Sequence, residues 1–348
     1  MGINAQSLTI QTQSGSGNNT PAIFTLNGTD IELGRGTLSI NTVNYSADSR
    51  AVDVNGMAVI LNDQGISRIG QNGAVLYKAD YQAPGEEDPS LKVYAVYNGG
   101  FVLRENIANF LLYDSFGDLK HSISNSTQSQ GGESISELAA DPYFKTIALY
   151  NPEYRLNGKS GSRVSVIDGS RSREVFNIDD RVINTVTVSS DGQFIAVGSS
   201  ASGSDDQVDV VDRYGNLINQ FEFDQDVAGF SFSRGNDYLT VYSTGRVVVY
   251  ETISGERIGS TSLRTPVRAA SYFPQDNSIV LITATGQGTI LSDIEVRVID
   301  LQQRAIASEE FSQTLGTAVE IPVTIRRTAR RAYTIEGLSK GLNIRASF

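Results

Sequence analysis

Val186-Thr-Val-Ser-Ser-Asp-Gly-Gln-Phe-Ile-Ala-Val-Gly198 reads as an apolar strand, a polar turn and a second apolar strand. β-branched and aromatic residues alternate with small polar ones on either side of Ser-Asp-Gly, a combination that bends the chain cheaply. The same pattern recurs as Phe230-Ser-Phe-Ser-Arg-Gly-Asn-Asp-Tyr-Leu-Thr-Val-Tyr242 and as Ala270-Ser-Tyr-Phe-Pro-Gln-Asp-Asn-Ser-Ile-Val-Leu-Ile282, with Asp191, Asp237 and Asp276 in the turns. A second element follows, an apolar strand ending in an acid: Leu111-Leu-Tyr-Asp-Ser-Phe-Gly117, Val164-Ser-Val-Ile-Asp168, Val208-Asp-Val-Val-Asp-Arg-Tyr-Gly215, Val247-Val-Val-Tyr-Glu251 and Val296-Arg-Val-Ile-Asp300. The acids Asp114, Asp168, Asp212, Glu251 and Asp300 lie 54, 44, 39 and 49 positions apart. Four strands in each such period is the signature of propeller blades.

The expectation is therefore an all-β chain: a seven-bladed β-propeller of four-stranded antiparallel blades, forming one domain over residues 1–348. Six blades are expected at roughly 37–81, 91–124, 135–180, 183–224, 227–264 and 267–311. Residues 317–348 supply about three more strands. A fourth, expected from Ser7 to Thr12 or Ile23 to Leu26, would complete that last blade by pairing the N- and C-terminal strands and removing an open sheet edge. Residues 1–36 then act as closing strand and lead-in.

Ser189-Ser-Asp-Gly192 after an apolar strand, together with Val164-Ser-Val-Ile-Asp168, resembles the YVTN-type and WD-repeat-like propellers of bacteria and archaea. The resemblance covers most of residues 91–311 and implies a fold that hosts many activities. The sequence departs from strict WD repeats because it contains no tryptophan.

Composition narrows the function classes. A net charge of −11 and a pI near 4.7 repel polyanions, so nucleic acid is not an expected partner. With no cysteine, disulfides, thiolate metal sites and cysteine nucleophiles are excluded. No apolar run approaches the roughly 20 residues of a spanning helix. The opening Met1-Gly-Ile-Asn-Ala-Gln-Ser7 shows neither a basic n-region nor an apolar h-region, so no signal peptide is expected there.

The only histidine, His121, cannot build a multi-histidine metal centre and is expected to be an ordinary surface residue near the turn Ser115 to Asp118. Quinoprotein and sialidase-type propellers rely on tryptophan, which is absent. Paired carboxylates can hydrolyse glycosides without histidine, but acids repeated once per blade at a strand end are expected to be turn-forming acceptors.

In four-stranded blades, the loops joining second to third strands and those joining one blade to the next emerge on the same ring face. That face is expected to carry Glu86, Glu87, Asp88, Asp179, Asp180, Asp205, Asp206 and Asp293, with Asp224 and Asp226 alongside, and long loops at Asn151 to Ser162, Ser199 to Gln207 and Ala284 to Ile294. Arg155, Lys159, Arg163 and Arg181 offset the charge in part. Such a face suits a basic protein partner, or Ca²⁺, which takes clustered oxygen ligands. Arg326, Arg327, Arg330 and Arg331 form a basic turn suited to an acidic partner or lipid head groups.

The sequence supports a non-catalytic protein-binding or scaffolding propeller without a cofactor, a subunit or accessory of a cell-envelope or extracellular assembly, with a periplasmic, cell-surface or secreted location. The rival readings are a carboxylate-dependent hydrolase or lyase and a ligand or ion sensor.

Overall fold

Seven antiparallel four-stranded blades form a β-propeller in the computed structural model, with no helix among the described residues. The structure describes residues 6–10, 23–44, 49–52, 58–62, 65–70, 74–79, 81, 92–97, 100–105, 109–124, 137–141, 143, 145–156, 159–168, 171–286, 290–311, 314–316, 323–338 and 340–348. Blade 1 runs from Ser49–Val52 to Val75–Ala79, blade 2 from Lys92–Tyr97 to Leu119–Ser124, and blade 3 from Glu137–Ala140 to Arg171–Asp179. Blade 4 spans Val182–Val188 to Leu217–Phe223, blade 5 Gly229–Phe232 to Arg257–Ser262, and blade 6 Val267–Phe273 to Ala305–Phe311.

Blade 7 closes the ring by pairing an N-terminal with the C-terminal strand, as expected, but through a different N-terminal strand. Its inner strands are Thr324–Ala329, Ala332–Glu336 and Lys340–Ser347, and the fourth is Thr37–Asn44, paired antiparallel from Thr37 with Ser347 to Asn44 with Lys340. Neither Ser7 to Thr12 nor Ile23 to Leu26 takes that place, and the first blade begins at Ser49 rather than at 37. The reason is alternation: Leu38 and Ile40 are buried in the apolar cluster that blade 7 shares with the facing side of blade 6, with Tyr333, Leu342 and Ile344 among its members. Gln6–Ile10 instead adds a fifth strand outside Thr37–Asn44.

The segment before the closing strand runs along the outer rim. Ile23–Leu26 pairs with the outer strand of blade 5, and Gly34–Arg35 pairs parallel with that of blade 6. Phe24 is wholly buried there, with Ile31 and Leu33 in the apolar cluster between blades 5 and 6. Gly259 makes this docking possible, because a Cβ at that position would stand 2.5 Å from the Phe24 ring.

Core residues cluster between blades. Each sheet turns alternate side chains to its two neighbours, so Val280, Ile282, Val296 and Val298 pack toward blade 7 while Ile279, Leu281 and Ile299 pack toward blade 5. The repeated acids fix the peripheral turns. Asp212 accepts the Tyr214 and Asn216 N–H groups at 2.8 and 2.9 Å, and Asp114 accepts those of Phe116 and Asp118 at 2.8 and 3.0 Å. Gly215, with φ +95°, lets the blade 4 turn rest on the outer strand of blade 3, since a Cβ would meet the Val175 carbonyl at 2.8 Å.

Candidate functional site

The described acidic residues lie in loops and hairpin extensions of blades 3 to 6. Asp179 and Asp180 end blade 3, Asp205 sits in the loop between the second and third strands of blade 4, and Asp224 and Asp226 lie between blades 4 and 5. All five are exposed, as is Asp293 on blade 6. Glu86, Glu87 and Asp88 fall outside the described residues. Two of the expected long loops are hairpin extensions instead: Ile147–Leu156 pairs with Lys159–Asp168 as far as Leu156 and Lys159, and Thr285 pairs with Ser292. Register shifts between Asn151 and Tyr154 and between Thr283 and Thr285 carry the pairing past the body of each sheet.

Arg181 organises the centre of this surface. Its Nη2 donates to the carbonyls of Ser199 and Asp205 at 2.8 and 2.9 Å, and its Nε to Ser199 Oγ at 3.0 Å. The guanidinium therefore holds the backbone of the loop while the Asp205 carboxylate stays in solvent. Arg246 contacts both Asp224 oxygens, the longer contact being 2.7 Å, although that carboxylate remains mostly exposed.

Asp206, expected on the binding surface, is only 4% exposed. Its Oδ2 accepts the Val227 N–H at 2.7 Å, tying the loop to the linker into blade 5. Burial raises its pKa above the usual carboxylate range, and the neighbouring Asp226 charge adds to the rise. Asp209 lies deeper, 1% exposed, accepting the amide of Gln220 at 2.7 Å and that of Gln207 at 2.8 and 3.0 Å. Burial raises it too, against the opposing effect of those amides.

A buried acid with a raised pKa holds its proton more tightly in the folded protein than in the unfolded chain. Its contribution to stability therefore falls as pH climbs from the unfolded value through the folded one. Asp209→Asn removes that penalty and keeps an acceptor for Gln220, while Gln207 can turn its amide to match. The expected result is a higher thermal midpoint than wild type at pH 8, with the gap closing toward pH 4. A midpoint at pH 8 equal to or below that of wild type would refute it.

On the opposite face, three of the four arginines of the expected basic patch are engaged within the protein. Arg327 and Arg331 pair with Asp276 and Asp300 of blade 6 at 2.8 and 2.6 Å, and Arg326 lies 3.6 Å from Glu336. Arg330 is exposed. Arg331 also stacks its guanidinium on Phe348, 5.1 Å from the ring centre. His121 lies half-buried within the outer strand Leu119–Ser124, opposite Leu112. Among the described residues, no three His, Asp or Glu side chains converge as a metal centre requires, and no helix is long and apolar enough to cross a membrane.

Sequence reading missed a third surface. Tyr143, Lys145, Arg173, Arg213 and Tyr214 meet where blade 3 abuts blade 4, on the face opposite the acidic loops. Arg173 and Arg213 stand 40 residues apart, one blade period, and that spacing was the only trace of it in the sequence.

These features define a seven-bladed β-propeller. It is similar to a chain from the crystal structure of the mitotic checkpoint complex, with a TM-score of 0.54, 11% identity and 98% of each chain covered. At that identity the likeness concerns fold alone. No protein-family model matches the sequence, and no curated protein does.

Proposed function

We propose that this protein is a non-catalytic docking platform, a subunit or accessory of a cell-envelope or extracellular assembly, that engages a basic protein partner through its acidic loop face. On this reading the YVTN-type resemblance of the repeats extends to the chain's bacterial or archaeal kinship. The observation that carries the proposal is the acidic loop of blade 4, held by its backbone through Arg181 so that Asp205 faces solvent beside Asp179, Asp180 and Asp226. Carboxylates fixed on a rigid ring lose little entropy on binding, and opposite charge speeds and orients encounter.

The test replaces Asp179, Asp180, Asp205 and Asp226 with Asn, leaving buried Asp206 intact. Asn also tolerates the left-handed conformation of Asp180, φ +58°. The fold should be retained. Association with the partner that co-purifies with the native protein should slow by about tenfold at low salt, and the salt dependence of its on-rate should shrink. An unchanged on-rate would remove the acidic face from the function.

A further inference from the structure

We propose that the junction of blades 3 and 4, on the face opposite the acidic loops, is a docking site for an acidic segment of a protein partner, gripped by Lys145, Arg173 and Arg213 between the exposed rings of Tyr143 and Tyr214. The inference rests on the protein-binding reading above and adds a second surface and a second partner chemistry to it.

The geometry begins with Tyr214, at the tip of the Asp212–Asn216 turn and 63% exposed. The guanidinium groups of Arg173 and Arg213 lie 5.5 and 5.7 Å from the centre of its ring. Arg173 Nη2 donates to the Arg213 carbonyl at 2.9 Å, and Arg213 Nη2 reaches the Lys145 carbonyl at 3.5 Å. Lys145 Nζ in turn stands 5.5 Å from the ring of Tyr143, which is 59% exposed. Leu217, 57% exposed, begins the strand after the turn and adds apolar surface. The result is a strip of three cations and two rings crossing the blade boundary.

What marks this strip is the missing counter-charge. At the junction of blades 6 and 7, on the same face, Arg327 and Arg331 meet Asp276 and Asp300 across the boundary. Among the described residues, none of Lys145, Arg173 and Arg213 has a carboxylate within 4.0 Å, and Arg213 Nε is buried with no acceptor. Among the described residues, the two guanidinium groups that share this ring have backbone carbonyls rather than carboxylates to offset their repulsion. Carboxylates brought by a partner would fill the role that Asp276 and Asp300 fill at the other junction, with charge-assisted and bidentate hydrogen bonds.

The close approach of Gly215 to the Val175 carbonyl seats the turn on blade 3. Arginine and tyrosine in one patch are the side chains that most often dominate protein interfaces. Net charge selects the occupant. A chain of −11 is repelled at long range by an anionic membrane or a nucleic acid, whereas a short acidic segment on a protein surface can enter the local positive field.

The test is selection of random 12-residue displayed peptides on the intact protein, followed by affinity measurements on the selected peptides. The expected result is a class rich in Asp and Glu with aromatic or aliphatic neighbours. Its affinity should fall at least tenfold in Arg173→Gln/Arg213→Gln and stay unchanged in the fourfold Asn variant of the acidic face. Thermal unfolding of the variant checks its fold. Should the arginine variant fail to fold, Tyr143→Ser/Tyr214→Ser carries the same comparison. Acidic peptides that bind wild type and both variants alike would overturn the site. Basic peptides alone, lost in the acidic-face variant, would overturn it while upholding the reading it rests on, and no enrichment of either class would overturn both. Phosphatidylserine vesicles bound through Arg173 and Arg213 in place of peptides would reassign the patch to a lipid surface and overturn the proposal.

Discussion

Deleting residues 1–48 is expected to abolish cooperative unfolding and drive the protein into aggregates, while deleting residues 1–30 is expected to leave a closed, monomeric propeller of reduced stability. The longer deletion removes Thr37–Asn44 and leaves the edge of Lys340–Ser347 open, with a full row of unpaired backbone groups. It also uncovers Leu342, Ile344 and Ala346, which now pack beside Leu38 and Ile40. The shorter deletion spares that strand. What it removes is Gln6–Ile10, the outermost strand of blade 7, and the rim strand carrying Phe24. Loss of a wholly buried phenylalanine costs about 3–5 kcal/mol when truncated in place, so a lowered melting point is expected. A point change isolates the closure itself: Ile40→Ala should cost about 2–5 kcal/mol by opening a cavity against blade 6. Size-exclusion chromatography and thermal unfolding monitored by circular dichroism decide the matter. A 1–48 deletion that stays monomeric with the wild-type melting temperature would show that the N-terminal strand does not close the ring.

The blade repeat was legible because its physics is local. Val186 to Gly198 carries its own alternation and its own turn, and Asp114 and Asp212 bond backbone groups only two and four residues ahead, within the same turn. The closing strand was less so. Gln6–Ile10, Ile23–Leu26 and Thr37–Asn44 all read as short apolar strands, and what separates them is which one presents Leu38 and Ile40 to a cavity formed by residues about three hundred positions later. The charged surfaces divide in the same way. Asp205 and Asp206 are adjacent in sequence, yet the first is solvated and the second buried on the Val227 N–H, a difference set by the linker into the next blade. Arg326 to Arg331 read as a basic turn open to an acidic partner because nothing nearby in sequence reveals that Asp276 and Asp300 of blade 6 come to meet it. The same blindness hid the strip at Tyr143 and Tyr214, whose members come from turns and a strand of two blades.

Asp276→Ala is expected to be the most damaging single change on the face opposite the acidic loops, costing about 3–5 kcal/mol at pH 7, the range for removing one partner of a buried ion pair. The carboxylate, 1% exposed, accepts Arg327 Nε and Nη2 at 2.8 and 2.9 Å, the Arg331 N–H at 3.0 Å and the Tyr333 hydroxyl at 3.0 Å. Its removal strands the guanidinium of Arg327 and the buried hydroxyl of Tyr333 together and loosens blade 7 from blade 6. Burial by itself would raise the pKa of Asp276. The Arg327 hydrogen bonds foremost, then the Arg331 N–H and the Tyr333 hydroxyl, more than offset it, and the net shift is downward. A carboxylate depressed in the folded state contributes stability that is complete above its unfolded pKa, about 3.9, and is lost as pH falls through the folded value. The gap between wild type and Asp276→Ala should therefore be full at pH 5 to 8 and narrow progressively below about pH 4. Urea unfolding at pH 7 and at pH 3 measures both ends. An Arg327→Ala/Asp276→Ala double variant should lose less than the two single changes added together, since each single change leaves the other charge unpaired. A loss at pH 7 below about 1 kcal/mol, or one that does not shrink in acid, would show that the ion pair does not hold the last two blades together.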